Sequence, residues 1–197
     1  MRITGGEFRG RILGVPKSGA IRPRKDRVGE ALFSKLETEL PGVDVLDLFA
    51  GTGAIGLEAV SRGARSATFV ESNRRHMPVL LGNLRLVSSS CSTQSASLST
   101  SQPFNLSTVL ADAYRWIASY SGPGFSMAFA DPPYALGEER GYASVLETLS
   151  RRGVVREGGL FTAEMTAVQR AEETPGWELL RDRKYGKTRI CVWRRGA

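Results

Sequence analysis

The residues with the most chemical promise are Asp131, Pro132, Pro133 and Tyr134, which follow the apolar run Ser126–Ala130 directly. Two prolines lack backbone donors and hold φ near one value, so they end a strand and leave a stiff, extended loop. Asp131 and the Pro132 carbonyl can each accept an N–H, and Tyr134 offers a π face for a planar ring. Such a set suits an amine on an aromatic base: the acceptors favour a pyramidal nitrogen while the ring stacks on tyrosine. A rigid strand-to-loop turn would also account for these four residues, because Asp-Pro pairs start turns.

A second constellation lies upstream. Gly51-Thr52-Gly53-Ala54-Ile55-Gly56 follows a hydrophobic run and matches G-x-G-x-x-G, and Glu71 ends the next apolar run. Glycines let backbone approach a ligand, a new helix presents free N–H groups, and the carboxylate can accept from ribose hydroxyls. This pattern implies an adenosine-containing cofactor, with NAD and S-adenosyl-L-methionine as the two candidates. Asp47, four residues before Gly51, favours the second, since a carboxylate attracts the cationic amino group of a methionine moiety. Asp112 can accept from an adenine amino group, cap a following helix, or do both.

The elements that must position these residues alternate. Val28, Leu32, Leu36 and Leu40, with Phe33 beside them, make one helical face, with Asp26 as its N-cap and Pro41-Gly42 as its stop. Then come VDVLDLFA, the glycine turn, a helix closing on Gly63, ATFVE, a helix over NRRHMPVLLGNLRLV despite Pro78, STVLA, DAYRWIAS, SMAFA, a helix carrying Tyr142, Val145, Leu146 and Leu149, and GGLFTAEM. Strands alternating with helices imply parallel pairing through right-handed crossovers, hence a doubly wound α/β sheet. WELLRDRKYGKTRICVW reads as an antiparallel hairpin at its edge. Ser88–Thr108, rich in Ser and Thr, reads as a mobile connection with no catalytic role.

Composition narrows the function. The chain has 197 residues, 41% of them hydrophobic, enough for one ordinary core. No apolar run reaches the ~20 residues of a membrane span and the start is too polar for a signal peptide, so a cytoplasmic protein without membrane contact is expected. Cys91, Cys191 and the lone His76 leave no zinc spacing and no His-based triad, so no metal is expected. Almost all of the +7 net charge lies before Val28, where Arg2, Arg9, Arg11, Lys17, Arg22, Arg24, Lys25 and Arg27 face only Glu7 and Asp26. A one-sided excess of this kind suits a polyphosphate partner, although a solvated arm would look the same.

With these motifs in order, MRITGGEFRGRIL, RPRKDRVGEALF, DLFAGTGAIGLEAVSRGA, ADPPY and YGKTRI, the chain resembles the RsmD family, which methylates the N2 amine of a guanine in 16S ribosomal RNA. The resemblance implies a Rossmann-like S-adenosylmethionine-dependent methyltransferase fold with a mostly parallel seven-stranded sheet. It implies a basic N-terminal extension over 1–42, hairpin plus helix, and a catalytic domain over 43–197. Cofactor contact would fall to Asp47, Phe49, Gly51, Thr52, Gly53, Glu71 and Asp112, and catalysis to Asp131, Pro132, Pro133 and Tyr134. RNA contact would fall to Arg9, Arg11, Arg22, Arg24, Lys25 and Arg27. The expected partner is 16S rRNA, within the small ribosomal subunit or its assembly intermediate, and the expected state is a monomer. The chain departs from the family at Arg24, Lys25 and Gly29 and has Asn73 where aspartate is common; these changes touch RNA docking more than the chemistry.

The rivals are distinguishable. A DNA adenine-N6 methyltransferase would share the loop but needs a target-reading domain for which no segment is long enough. A C5-pyrimidine methyltransferase needs a nucleophilic cysteine, which neither SSSCSTQ nor TRICVW resembles. An NAD oxidoreductase leaves DPPY and the basic segment without a use, and a non-catalytic RNA-binding module leaves the glycine turn without one.

Overall fold

The computed structural model describes residues 1–16, 26–91, 104–132 and 142–197. The chain divides into two compact units, Met1–Leu110 and Ala111–Ala197. Seven strands and five α-helices are present among the described residues.

In the first unit, α1 (Asp26–Leu36) leads through a short 3-10 turn (Glu37–Glu39) to β1 (Asp44–Asp47), α2 (Ala54–Ser61), β2 (Ser66–Glu71), α3 (Met77–Cys91) and β3 (Asn105–Leu110). The strands lie in the order β3-β2-β1, all parallel. Leu32, Phe33, Leu36 and Leu40 are buried as the helical spacing requires, although the helix opens at Asp26 itself rather than after it. Helix α2 is buried from Ile55 to Ser61, which a short apolar helix between a sheet and its neighbours demands. Its end is a Schellman motif: Gly63, at φ 102, donates to the Val60 carbonyl, and Ala64 donates to Ala59. Pro78 falls in the first turn of α3, where its missing N–H has no helical partner to lose.

Before these elements, Arg2 and Ile12 form an antiparallel bridge, the start of a small hairpin. Side chains hold it down: Glu58 accepts from the Thr4 N–H at 2.7 Å and its hydroxyl at 2.8 Å, while Ser61 Oγ donates to the Gly5 carbonyl at 2.6 Å and accepts from the Phe8 N–H at 2.9 Å. Ile3, Phe8 and Leu13 are its buried apolar anchors.

The second unit contains α4 (Ala113–Ser119), β4 (Phe125–Ala130), α5 (Ala143–Arg151), β5 (Val155–Thr166), β6 (Trp177–Tyr185) and β7 (Thr188–Arg195). Its strand order is β4-β5-β7-β6, with β4 and β5 parallel and the last two pairings antiparallel. Strand β4 is buried throughout, as its unbroken apolar run suits a parallel strand covered on both faces. Phe161 meets Trp177 edge-on, with ring centroids 6.3 Å apart, and Trp193 at a tilt, 5.7 Å away. Tyr185 and Thr188 flank a two-residue turn in which Gly186 takes φ 64, completing the expected hairpin.

Two boundaries differ from the sequence reading. The Ser-rich stretch is not irregular at its ends: α3 continues through Cys91 and β3 starts at Asn105, because helix packing and strand pairing override the weak preferences of serine and threonine. Strand β5 starts three residues before Gly158, with a register shift between Phe125 and Met127 that accommodates the glycine pair. No helix among the described residues is long and apolar enough to cross a membrane.

Candidate functional site

At the carboxyl end of β1 the chain turns sharply. Gly51 and Gly53 adopt φ 54 and φ 78, in the left-handed region where a side chain is strained. The Ala50 N–H reaches across to the Val70 carbonyl at 3.0 Å, tying the turn to β2. Packing adds to this at Gly53 and acts alone at Gly56. A Cβ on Gly53 would stand 2.6 Å from Leu80 Cδ1, and one on Gly56 would overlap the Phe69 ring.

Glu71, at the end of β2, is the polar centre of this turn. Its Oε2 accepts from the Gly51 N–H at 2.7 Å, and its Oε1 accepts from the Asn73 N–H at 2.6 Å. A carboxylate has about four acceptor positions, so these two bonds fix its orientation and leave acceptor capacity of the kind a ribose hydroxyl uses. Asn73 turns its own carbonyl oxygen to the Arg75 N–H at 3.0 Å, a local Asx turn that shapes the chain after Glu71. His76, which the sequence reading used only to exclude chemistry, places Nδ1 3.4 Å from Glu71 Oε1, and Asn73 Nδ2 lies 3.1 Å from its Nε2. No spacing rule points to this neighbour; the turn before α3 brings it in.

The other expected cofactor residues of this unit surround the same turn in different ways. Asp47 is fully buried, and its Oδ2 accepts from the Gly56 N–H at 3.1 Å in the first turn of α2. Phe49 is half-buried. Thr52 is buried, its hydroxyl 3.4 Å from Met1 Sδ, and its carbonyl accepts from Asn83 Nδ2 at 2.8 Å. Packing thus already occupies the Thr52 side chain. Phe49 and Gly51 are half-buried, whereas Glu71 is buried beside them.

The second unit holds Asp112 and Asp131. Asp112 Oδ1 accepts from the Arg115 N–H at 2.9 Å, so it caps α4, and its side chain is exposed. Asp131 and Pro132 follow β4 directly, the first half-buried and the second buried; Pro133 and Tyr134 lie outside the described residues. Tyr142, expected only as part of a helical face, belongs to the surroundings of Asp131. Burial first, then the charge of Asp131, pushes its phenol well above the usual range. The hydroxyl stays protonated and donates to the Glu164 carbonyl at 2.9 Å.

Of the expected RNA contacts, Arg9 is exposed on the N-terminal hairpin. Arg11 is partly engaged in the fold, donating to the Leu86 carbonyl at 2.8 Å with its guanidinium 5.4 Å from the Phe8 ring centre. Arg22, Arg24 and Lys25 lie outside the described residues, as does the side chain of Arg27 at the start of α1.

An α/β chain with a glycine turn braced by an acidic strand end falls in the class that binds nucleoside-containing cofactors. Comparison with known proteins narrows the class. The family model described as Conserved hypothetical protein 95 matches residues 1–194. Ribosomal RNA small subunit methyltransferase D of Escherichia coli K12 is 32% identical over 198 residues, covering 100% of this chain and 91% of that protein. The Haemophilus influenzae protein of the same name is 30% identical, over 94% of this chain and 89% of its own length. The solved structure described as "Putative methyltransferase yhhF from Escherichia coli" superposes with a TM-score of 0.82 at 29% identity, covering 100% of this chain and 98% of that one. The chain belongs to this family, the RsmD family, and has its α/β methyltransferase fold.

Proposed function

We propose that the protein is an S-adenosylmethionine-dependent rRNA methyltransferase, and more finely that it methylates the exocyclic N2 amine of a guanine in 16S rRNA. The observation that carries the reading is the family match along residues 1–194, in a chain that keeps a braced glycine turn and follows β4 with Asp131-Pro132. Family membership, and no measured distance, assigns both features to one reaction.

The cofactor supplies an electrophilic methyl group on a sulfonium. Glu71, held by two backbone amides, accepts from the ribose hydroxyls, and the unengaged oxygen of Asp112 accepts from the adenine amine. Asp47 contributes negative charge beside the turn, where the amino group of the methionine moiety is cationic. A guanine amine is a poor nucleophile because its lone pair is delocalised into the ring. Asp131 and the Pro132 carbonyl each accept one N–H, which favours the pyramidal nitrogen needed for attack, and Tyr134 stacks on the base. With the cofactor bound, the nitrogen would take its methyl group as the C–S electron pair returns to sulfur, and the surplus proton would pass to Asp131 or to solvent. Placement in line with the methyl group supplies most of the rate, through proximity and electrostatics. No covalent enzyme intermediate and no metal take part.

Arg9 and its basic neighbours hold RNA phosphates. The substrate is 16S rRNA in the small subunit or an assembly intermediate, the enzyme is a monomer, and the compartment is the cytoplasm. The test uses labelled S-adenosylmethionine with unmethylated small-subunit particles, deproteinised 16S rRNA and duplex DNA. The expected product is N2-methylguanosine from particles or RNA, nearly abolished by Asp131→Ala with cofactor affinity retained. Label in N6-methyladenine, or an undiminished rate in Asp131→Ala, would overturn the reading.

A further inference from the structure

Asn83, in the middle of α3, is a buried amide that the proposed chemistry does not use. All of its hydrogen-bonding reaches out of its own helix. Oδ1 accepts from the Gly14 N–H at 2.7 Å, and Nδ2 donates to the Gly14 carbonyl at 3.1 Å and to the Thr52 carbonyl at 2.8 Å. Gly14 follows the basic N-terminal hairpin; Thr52 is the middle residue of the glycine turn. One amide therefore holds the main chain of both. The fit is tight on the Gly14 side, where an added Cβ would lie 3.3 Å from Asn83 Oδ1.

Neighbouring contacts run along the same line. Leu80, one turn earlier on α3, blocks a side chain at Gly53, and Leu86, one turn later, takes a hydrogen bond from Arg11 through its carbonyl. Met1 joins the two regions independently: its carbonyl accepts from the Leu13 N–H, and its sulfur meets the Thr52 hydroxyl. A planar amide with two fixed donors and one acceptor suits this junction better than a hydroxyl or carboxylate, because both carbonyls need a donor while the Gly14 N–H needs an acceptor. The bond to Thr52 is buried and holds its geometry without competition from water, while the two bonds to Gly14 are partly buried.

We infer that Asn83 is a positioning residue that sets the shape of the cofactor turn through the Thr52 carbonyl and couples that turn to the basic hairpin through Gly14. The inference rests on the proposed cofactor use of the turn. Asn83 touches neither the reacting atoms nor the base, so its loss weakens ligand affinity and leaves the chemical step at saturation intact. Asn83→Asp keeps the acceptor for Gly14 but turns both donated bonds into lone-pair repulsion; Asn83→Leu removes all three.

The experiment measures S-adenosylhomocysteine binding by calorimetry, and the methylation KM values and kcat, for the wild type and both variants, each checked for folding by circular dichroism. Expected are a rise of about tenfold in the dissociation constant and in both KM values, cofactor and RNA, with kcat within about twofold of the wild type. A merely structural role would instead lower the melting temperature and kcat together at constant KM. Unchanged affinity in both folded variants overturns the inference. In the wild type, addition of S-adenosylhomocysteine should also slow hydrogen exchange at the Gly14 amide together with the turn amides, a readout needing no variant. Slowing confined to the turn overturns the coupling. Wild-type protein that binds no S-adenosylhomocysteine would instead count against the cofactor reading itself.

Discussion

The two hairpins of this chain differ in how far backbone pairing carries them. The C-terminal one is a long ladder: β6 and β7 pair from Trp177–Arg195 to Tyr185–Thr188, and β7 pairs again with β5. The N-terminal one has the Arg2–Ile12 bridge and a few backbone bonds around it, Ile3 N–H to Arg11, Gly10 N–H to Ile3 and Leu13 N–H to Met1, and among the described residues pairs with no strand of the sheet; side chains of α2 and α3, Glu58, Ser61 and Asn83, reach its main chain and the residue after it. A ladder is periodic and advertises itself in sequence by alternation and a turn glycine. Side-chain anchorage has no period. A hairpin of the second kind can be placed where function needs it without a run of strand-forming residues, but it depends on a few buried groups.

That dependence makes the comparison breakable, and the largest effect should come from Glu58. Its carboxylate also accepts from Arg62 Nε at 2.9 Å, and both side chains are buried. Glu58→Leu strips that guanidinium of its main acceptor and frees Thr4, so urea titration should show a loss of about 3–5 kcal/mol, the usual cost of breaking a buried pair from one side. A loss below about 1 kcal/mol would mean that the hairpin does not lean on α2. Ser61→Ala removes one donor and one acceptor at once, leaving the Phe8 N–H and the Gly5 carbonyl to find other partners, and about 1–3 kcal/mol is expected. At the other hairpin, Gly186→Ala forces a side chain into φ 64, with an expected cost of about 1–2 kcal/mol in thermal unfolding.

Cys191 reports on the same hairpin. It lies buried on β7, and burial, with Asp182 next, pushes its thiol from an ordinary 9.0 up to about 12. The folded thiol thus keeps its proton where the unfolded one has lost it. The contribution of this group to stability is level below pH 9 and falls as pH rises from 9 towards 12. In native protein at pH 8, Cys191 should resist iodoacetamide as read by peptide mapping, and rapid alkylation at that residue would show that the β5–β7 ladder opens readily. The smallest effect belongs to the exposed side of the N-terminal hairpin, where Arg9→Ala should lower the salt slope of RNA binding by about one and leave stability unchanged.

The sequence and the structure agree where backbone periodicity or turn chemistry sets the outcome. The alternation of strands and helices, the buried face of α1, the Gly63 cap and the Tyr185–Thr188 turn were all legible because each has a local cause. The ends of the Ser-rich stretch and the start of β5 were not, since pairing partners far along the chain recruit residues of poor intrinsic preference. Within the site, Gly51 and Glu71 were legible from spacing alone. The burial of Asp47 and Thr52, and the arrival of Asn83 and His76, were not: they depend on how α3 packs, and hydrogen bonds spanning 31 and 69 residues leave no mark on local pattern.

The glycines of the turn also carry a consequence for how such a fingerprint is inherited. Gly53 is required by its left-handed backbone and Gly56 by the Phe69 ring, whatever the turn binds. A descendant that abandoned methyl transfer would stay under pressure to keep those two glycines simply in order to fold. Glu71, buried and bonded to the Gly51 and Asn73 amides, is held by the fold in the same way. Among divergent copies of this chain, the glycines and the carboxylate are therefore witnesses of shared ancestry before they are witnesses of retained activity.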